Sequence, residues 1–266
     1  AIKKPFGMVL VTGPTASGKT TTIYALLQIL NKDDINILSL EDPVEYFIDG
    51  VNQSQVKPEI GYTFASGLRQ ILRQDPDVIM VGEIRDSETA ELAVHAALTG
   101  QIVIATLHTN NAVGTIPRLI DMKVEPFLLP AALNLMISQR LIRRLCDKCR
   151  EEAAPAPEVA KIIDEELGKL PADLKSQIKY RSPYKIFHSK GCEACHGKGV
   201  TGRVAIFEAF SMTRELEEII NTSPTEGRIR DEAKRQGMIT LRQDGILKAL
   251  QGTVSIEEVL KETRES

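Results

Sequence analysis

Apolar and polar positions alternate in a regular way along the first 145 residues of the chain. Short apolar runs predict strands, and the segments concerned are 7–13, 35–42, 77–83, 101–108 and, much later, 203–210. Apolar positions at helical spacing predict helices over 19–31, 64–73 and 87–98. Continuous apolar strands that alternate with helices are typical of a parallel sheet covered by helices on both faces. The first part of the chain is therefore predicted to be an α/β domain.

The composition changes at Cys146. Residues 151–177 are rich in charge and include several prolines, which predicts an exposed insertion between two pairs of cysteines. We therefore expect three parts. They are an α/β core over 1–145, a small cysteine module over 146–202, and a C-terminal strand with a helical subdomain over 203–266.

Helix starts are marked beyond the last predicted strand. Ser223, Thr240 and Ser255 each precede a Glu or Gln by three residues, which is the pattern of a capping box. Pro224 suits the first position of a helix that begins after Ser223. Gly252 is predicted to end the middle helix. The C-terminal part is therefore predicted to consist of short helices.

Charge and composition limit the function. The chain has 266 residues, with 33 Lys and Arg against 36 Asp and Glu, so its net charge is −3. This balance argues against a general nucleic-acid-binding protein, although a local basic patch such as Arg140, Arg143 and Arg144 stays open. The sequence has no Trp, and its apolar runs are shorter than the roughly 18 residues that span a bilayer. We therefore expect a cytosolic protein without a transmembrane segment.

One motif points directly to chemistry. Residues 13–20 match the pattern G-x-x-x-x-G-K-[ST], between a predicted strand and a predicted helix. In such a loop, backbone N–H groups face the phosphates, Lys19 carries charge to the β- and γ-phosphates, and the Thr20 hydroxyl ligates Mg²⁺. A nucleoside triphosphate is therefore predicted to bind here. The predicted contact residues are Gly13, Pro14, Thr15, Ala16, Ser17, Gly18, Lys19, Thr20 and Thr21.

A phosphate loop of this kind needs an acidic partner on a nearby strand. Glu83 stands at the carboxyl end of the predicted strand 77–83, where ligands collect in open α/β sheets. Asp77 stands at the other end of that strand. Glu83 is therefore the better candidate, although an acidic residue that merely ends a strand is the alternative.

The four cysteines form two C-x-x-C pairs, which in a cytosolic protein favours a metal over disulfides. Four thiolates suit tetrahedral structural Zn²⁺, and the glycines after the second pair would let the chain turn tightly. Haem attachment at C-x-x-C-H and disulfides are the alternatives. The predicted zinc ligands are Cys146, Cys149, Cys192 and Cys195.

The chain resembles the GspE/PilB-type secretion ATPases in five ordered segments: VTGPTASGKTTTIYALL, LSLEDPVEY, LRQILRQDPDVIMVGEIRD, TGQIVIATLHTNNA and QRLIRRLCDKC. The resemblance runs from about residue 5 to about residue 210. These proteins are hexameric RecA-like motors that couple ATP hydrolysis to pseudopilus or pilus assembly. The resemblance thus implies a RecA-like P-loop ATPase with a mainly parallel sheet, a tetracysteine zinc module and a C-terminal helical subdomain.

The resemblance also implies catalytic roles. LSLEDPVE corresponds to the family's aspartate box, which brings Asp42 and Glu45 near the catalytic water and metal. We expect Glu45 to be the general base, with Glu83 as the next candidate and Glu41 less suited. TLHTN corresponds to the histidine box, so His108 is expected to read the state of the γ-phosphate.

Three arginines are implied as nucleotide or intersubunit contacts: Arg69, Arg73 and Arg85. Arg69 and Arg73 stand four residues apart, which would put them on one helical face. The alternative is that the arginines are surface residues paired with Asp75 and Asp86.

The sequence departs from the family pattern in two places. Ala16 replaces a usual glycine, and we expect a negative φ there and retained nucleotide binding. Asn111 stands where the family often has aspartate, which changes the charge of the histidine box.

The resemblance implies partners and a location as well. We expect a homohexamer, peripheral to the bacterial inner membrane, that acts with a platform protein and a cytoplasmic docking protein. Because the chain starts at the strand before the phosphate loop, we expect it to be the C-terminal part of a longer protein. The tetracysteine module favours assembly over retraction. The alternatives are a small-molecule kinase, for which no acceptor lid is found, and a DNA-uptake or nucleic-acid-associated P-loop ATPase.

Overall fold

The computed structural model describes residues 2–178 and 180–264. The chain divides into two compact units. The first unit contains the residues up to Ser138 together with Phe210–Gln236, and the second contains Gln139–Ala209 and the residues from Gly237 onward.

Strands and helices alternate through the chain. The elements, in order, are β1 (Gly7–Thr12), α1 (Lys19–Leu30), β2 (Ile37–Glu41), β3 (Val51–Gln55), α2 (Phe64–Ile71), β4 (Val78–Val81), α3 (Ser87–Leu98), β5 (Ile102–Leu107), α4 (Thr115–Asp121), α5 (Leu129–Ala132), β6 (Leu133–Leu145), β7 (Arg150–Ala153), α6 (Pro157–Gly168), α7 (Ala172–Gln177), β8 (Ile186–Ser189), β9 (Val200–Ser211), α8 (Arg214–Thr222), α9 (Glu226–Arg235), α10 (Leu241–Leu250) and α11 (Ile256–Glu262).

The main sheet has seven strands in the order β3-β2-β4-β5-β1-β6-β9. Strand β1 is parallel to both β5 and β6, and β2 is parallel to both β3 and β4. Strands β4 and β5 are also parallel, which joins the two groups. The mainly parallel α/β sheet predicted from the sequence is thereby confirmed.

The sheet is stable because its central strands are mostly apolar and are buried along nearly their whole length. All six residues of β1 are buried. On one face, Ile23, Tyr24 and Leu27 of α1 pack in a cluster with Val11 and Ile104 of the strands. Helix α3 contacts the same two strands. Burial on both faces explains why these strands read as continuous apolar runs.

The register of the strands aligns their carboxyl ends. Thr12, the last residue of β1, pairs with Leu107, the last residue of β5. Leu40 of β2 pairs with Val81, the last residue of β4. The loops that follow these four strands therefore leave from one edge of the sheet, where open α/β folds bind their ligands.

Two of the three predicted helix starts are confirmed. Thr240 accepts a hydrogen bond from the N–H of Gln243 in a reciprocal capping box, and Ser255 accepts one from the N–H of Glu258. Gly252 follows α10 with a φ of 73°. The predicted start at Ser223 is wrong. That residue ends α8, and α9 begins at Glu226 without a side-chain cap.

The second unit has its own apolar core. Helix α6 contributes Ile163, and α10 and α11 contribute Leu241, Ile246 and Val259, all fully buried. Residues 151–177 are largely exposed, as the sequence predicts, but Ile163 of α6 is fully buried and belongs to this core. Most charged residues of α6 are exposed, although the Glu166 side chain is only 14% exposed and Asp164 accepts from the Tyr184 hydroxyl at 2.5 Å.

The two units differ from the three ranges predicted from composition. The helices of the C-terminal part separate, because α8 contacts α5 in the first unit whereas α10 contacts α6 and β8 in the second. Strand β6 continues from one unit into the other at Ser138 and Gln139. Among the described residues, none of the helices combines the length and the apolar character that a membrane span requires.

Candidate nucleotide site and metal centre

The phosphate loop connects β1 to α1 at the carboxyl edge of the sheet. Gly13, Ala16 and Gly18 have positive φ values of 144°, 62° and 86°, which turn the backbone back on itself. The Nζ of Lys19 donates to the carbonyl oxygens of Gly13 and Pro14 at 2.8 and 3.1 Å. The loop thus forms the curved backbone and fixed cation that a chain of phosphates requires.

The φ of Ala16 corrects one expectation from the sequence. A negative φ was expected, but the value is +62°, in the left-handed region that disfavours a Cβ atom. The helix start fixes the loop path, so the alanine adopts the conformation that the family's usual glycine adopts without strain.

We expect the substitution Ala16→Gly to stabilise the protein by up to about 1 kcal/mol, because it removes the left-handed strain of an alanine. Thermal unfolding measures this change, as a rise in Tm. Ala25, exposed on α1, gives the matched control, since Ala25→Gly should destabilise by about 1 kcal/mol. If Ala16→Gly lowers Tm as much as Ala25→Gly does, Ala16 is not strained.

Lys19 lies between the loop and an acidic side chain. Burial lowers the pKa of Lys19 below its ordinary value, and the negative charge of Glu83 opposes that shift. Glu83 therefore helps to keep the ammonium charged where phosphates would bind.

Glu83 is the centre of a charged cluster at the carboxyl edge of the sheet. Its side chain is 14% exposed, and it forms an ion pair with Arg85. The Nε2 of His108 lies 3.4 Å from its other oxygen. Asp42 joins the cluster through Arg85, at 3.6 Å. The residues from three separate motifs are thus brought together.

Hydroxyl groups hold the loops of this cluster in place. The Thr12 hydroxyl, directly before the phosphate loop, lies 2.7 Å from that of Thr109 and accepts the Thr109 N–H at 2.8 Å. The Thr106 hydroxyl donates to the carbonyl of Gly82 at 2.5 Å. The positions of His108 and Glu83 are therefore fixed relative to the phosphate loop.

Arg69 and Arg73 are separate from this cluster. Arg69 forms an ion pair with Glu88 of α3, not with the aspartates named as alternative partners. Helix α2 ends at Ile71, so the expectation that Arg69 and Arg73 share a helical face is wrong. Among the described residues, Arg85 is the candidate arginine that pairs with the acidic residues of the site, Glu83 and Asp42.

Sequence reasoning missed a buried polar group beside the site. Glu41, the last residue of β2, is 2% exposed and hydrogen-bonded to Tyr24 of α1. Tyr24 stands four residues after Thr20, and this spacing puts both on one face of the helix. That spacing does not point to Glu41, which lies 17 positions further along the chain, so no local pattern marks this contact.

The four cysteines meet in the second unit. Their Sγ atoms all lie within 4.8 Å of one another. The Cys146–Cys192, Cys149–Cys195 and Cys192–Cys195 pairs are separated by 3.9, 3.8 and 3.8 Å. Tetrahedral Zn–S bonds of about 2.3 Å give S···S separations of about 3.8 Å. A disulfide needs about 2.0 Å, so the geometry fits a metal rather than disulfides.

Backbone N–H groups stabilise negative charge on one sulfur of this thiol cluster. The N–H groups of Cys192 and Gly199 donate to the Sγ of Cys195 at 3.1 and 3.2 Å, which lowers the pKa of that thiol to about 6. Desolvation instead raises the pKa of Cys149 to about 12. A cation bound among the four sulfurs would supply the positive charge that thiolates this close together require.

The glycines after the second cysteine pair turn the chain tightly, as the sequence predicts. Gly197 and Gly199 have φ values of 74° and 70°. A Cβ at Gly191 would lie 2.4 Å from the carbonyl oxygen of Gly197. Only glycine fits there, because the chain closes so tightly around the thiols.

The basic run at 140–144 has local partners. Arg140 donates to the carbonyl of Glu262, Arg143 pairs with Glu258 at 2.9 Å, and Arg144 pairs with Asp147 at 2.6 Å. These arginines form a charge cluster within the second unit, which does not favour the nucleic-acid alternative.

The family model described as Type II/IV secretion system protein matches residues 1–261. The Type IV pilus assembly ATPase PilB of Thermus thermophilus is 48% identical over 264 residues, which are 99% of this chain and 28% of that protein. The Type II secretion system ATPase E of Vibrio cholerae is 46% identical over 265 residues, which are 100% of this chain and 50% of that protein.

Solved structures agree with this result. The pilus retraction motor PilT with bound ADP superimposes with a TM-score of 0.70 at 29% identity, over 99% of this chain and 63% of that chain. The ATPase DotB of Legionella pneumophila also reaches 0.70, at 25% identity, over 100% of this chain and 62% of that chain. The chain thus spans about half or less of the curated relatives named here. On the match along nearly its whole length, it belongs to the type II/IV secretion system protein family.

Proposed function

We propose that this chain binds ATP and hydrolyses it as the motor part of a type II secretion or type IV pilus assembly ATPase. The observation that carries the proposal is the phosphate loop with Lys19 at the same sheet edge as Glu83, Arg85 and His108. The names of the relatives, which are ATPases of both machines, agree with it.

The phosphates would lie on the backbone N–H groups at the start of α1, with Lys19 beside them. Thr20 would hold Mg²⁺, which neutralises charge on the phosphate oxygens when it is bound. The resemblance still favours Glu45 as the base that orients the attacking water, although Glu83 has the more enclosed carboxylate. Asp42 and Arg85 would complete the charge balance around them.

His108 would report the state of the γ-phosphate to the rest of the site. Its ring is half-exposed and lies near Glu83, so it can exchange that contact for one with a phosphate oxygen. Arg69 and Arg73 are exposed, which leaves them available to a neighbouring subunit. We propose a homohexamer in which such arginines act on the adjacent nucleotide.

Zn²⁺ at the four cysteines would have a structural role, because four thiolates leave no open position for chemistry. The motor would act at the inner membrane through a platform protein and a docking protein. The tetracysteine module supports a role in pilus or pseudopilus assembly rather than in retraction.

We expect Lys19→Ala to weaken binding of Mg²⁺-ATP by about 10- to 150-fold, because charge-assisted hydrogen bonds contribute about 1.5–3 kcal/mol. Isothermal titration calorimetry on the intact chain measures the affinity, and phosphate release measures turnover. Lys57→Ala is the control, since Lys57 is exposed and lies outside the phosphate loop. Unchanged ATP affinity in Lys19→Ala, or no turnover by the wild type in any oligomeric state, would refute the proposed function.

A further inference from the structure

A buried carboxylate, Glu41, directly precedes Asp42 of the proposed site. Glu41 is 2% exposed, so its charge must be met by hydrogen bonds inside the protein. Its Oε1 accepts from the Ser39 hydroxyl at 2.6 Å and from the Nε2 of Gln53 at 3.0 Å. Its Oε2 accepts from the Tyr24 hydroxyl. The carboxylate therefore orients both Tyr24 and Gln53.

Tyr24 connects the phosphate-binding helix to the loop that follows β2. The Tyr24 side chain is fully buried. Since its proton points to Glu41, its oxygen is free to accept, and the N–H of Glu45 lies 3.4 Å away. Its ring meets that of Tyr46 edge-on, with centroids 4.7 Å apart. The hydroxyl and the ring thus contact two successive residues of the loop.

Gln53 of β3 holds the same loop from the other side. Its Oε1 accepts from the N–H of Ile48 at 2.6 Å, and its Nε2 donates to the carbonyl of Tyr46 at 3.1 Å. The loop 42–50 is therefore attached at three backbone positions to side chains that Glu41 orients.

We propose that Tyr24, Glu41 and Gln53 form a positioning network for the proposed reaction, one that fixes the loop bearing Glu45 relative to the helix bearing Lys19 and Thr20. This inference rests on the proposed function. Proton transfer and water positioning require geometry fixed within a fraction of an ångström, and a displacement of about 1 Å can cost 10²-fold in rate. The network connects helix α1 with the loop by direct contacts.

Burial and the neighbouring Glu41 raise the pKa of Tyr24 above its ordinary value. The hydroxyl therefore keeps its proton, and the network keeps its hydrogen-bond direction, across the pH range in which the enzyme would be assayed.

The experiment compares Tyr24→Phe with Tyr62→Phe in the intact chain. Tyr24→Phe removes one hydroxyl and keeps the ring, so we expect kcat for ATP to fall about tenfold with KM within twofold. The Tyr62 hydroxyl bonds Ser54 of the same strand β3, and its loss should leave kcat unchanged. Gln53→Met is the second variant, since Gln53 is half-buried and its replacement should preserve the fold.

Two readouts separate this inference from the proposed function. In a Glu45→Gln background, Tyr24→Phe should lower kcat no further, because both changes act through Glu45. Hydrogen exchange of the loop 42–50 should quicken at least fivefold in Tyr24→Phe, whether or not the wild type turns over ATP. An unchanged loop exchange, or an additive loss of kcat, would overturn the network. A wild type without turnover would overturn the proposed function instead.

Discussion

Replacing Glu83 by glutamine is expected to lower ATP turnover by about 10²–10⁴-fold and to leave ATP affinity within about threefold of the wild type. The range is that of a positioned acid or base in a transition state. Glutamine keeps the size of the side chain and an oxygen that can accept from Arg85, but it removes the negative charge that faces both Arg85 and Lys19. Single-turnover phosphate release measures the chemical step, and calorimetry measures the affinity.

Glu59→Gln is the matched control for this substitution. Glu59 is exposed in a short turn before α2, so the same chemical change there should not alter turnover. Loss of ATP affinity as large as the loss of turnover would show that Glu83 supports binding rather than the reaction.

Glu45→Gln tests the base directly. If Glu45 orients the water, the substitution should lower turnover as much as Glu83→Gln does, at an unchanged Mg²⁺ requirement. If turnover falls in Glu83→Gln but not in Glu45→Gln, the base is Glu83. The exposed Glu45 would then have no part in the chemistry.

Removing zinc is expected to unfold residues 146–205 while ATP affinity is retained. Structural zinc contributes about 10–16 kcal/mol to folding in zinc-finger peptides at neutral pH. Here the thiol cluster is tied to the backbone, since the N–H of Cys146 donates to the carbonyl of Gly199 at 2.9 Å. Arg150 extends the connection to the carbonyl of Gly252 at 2.7 Å. Hydrogen exchange after chelation, or in Cys149→Ser, measures the loss of structure by segment.

His196→Asn is the control for the metal site. His196 follows the last cysteine with a φ of 51°, a conformation that asparagine tolerates. This variant should keep its zinc content, because the proposed ligands are the four cysteine thiolates and His196 is not among them. Loss of ATP affinity together with the loss of structure at 146–205 would contradict our view that the phosphate loop is independent of the metal.

The sequence was sufficient to predict the central sheet. Strands β1, β4 and β5 are buried on both faces, so their apolar runs are unbroken and the pattern is plain. Strand β3 has the polar sequence VNQSQ because it lies at the sheet edge, and no apolar pattern marks it. Strand β6 was missed for a different reason. Its arginines were interpreted as a basic surface patch, whereas they pair with neighbouring residues of the second unit.

The parts of the candidate site that follow a short sequence pattern were predictable. The phosphate loop and the cysteine pairs depend on spacing along the chain, and the structure brings the expected residues of each together. The φ of Ala16 was not predictable, because it depends on where the helix begins. The contacts of Tyr24 and Glu41 were hidden because they join residues 17 positions apart, and burial of a carboxylate has no signature in one sequence.

The place of β1 in the sheet has a consequence for synthesis of the protein. This fully buried and mostly apolar strand has β5 and β6 as its neighbours, and Thr12 and Leu107 are 95 residues apart. Ribosomes add about 5–20 residues per second, so β1 waits about 5–19 s for β5 to be made. Throughout that time an unpaired, apolar strand is exposed. The nascent chain therefore has its greatest need of chaperone protection in the interval between the synthesis of β1 and that of β5.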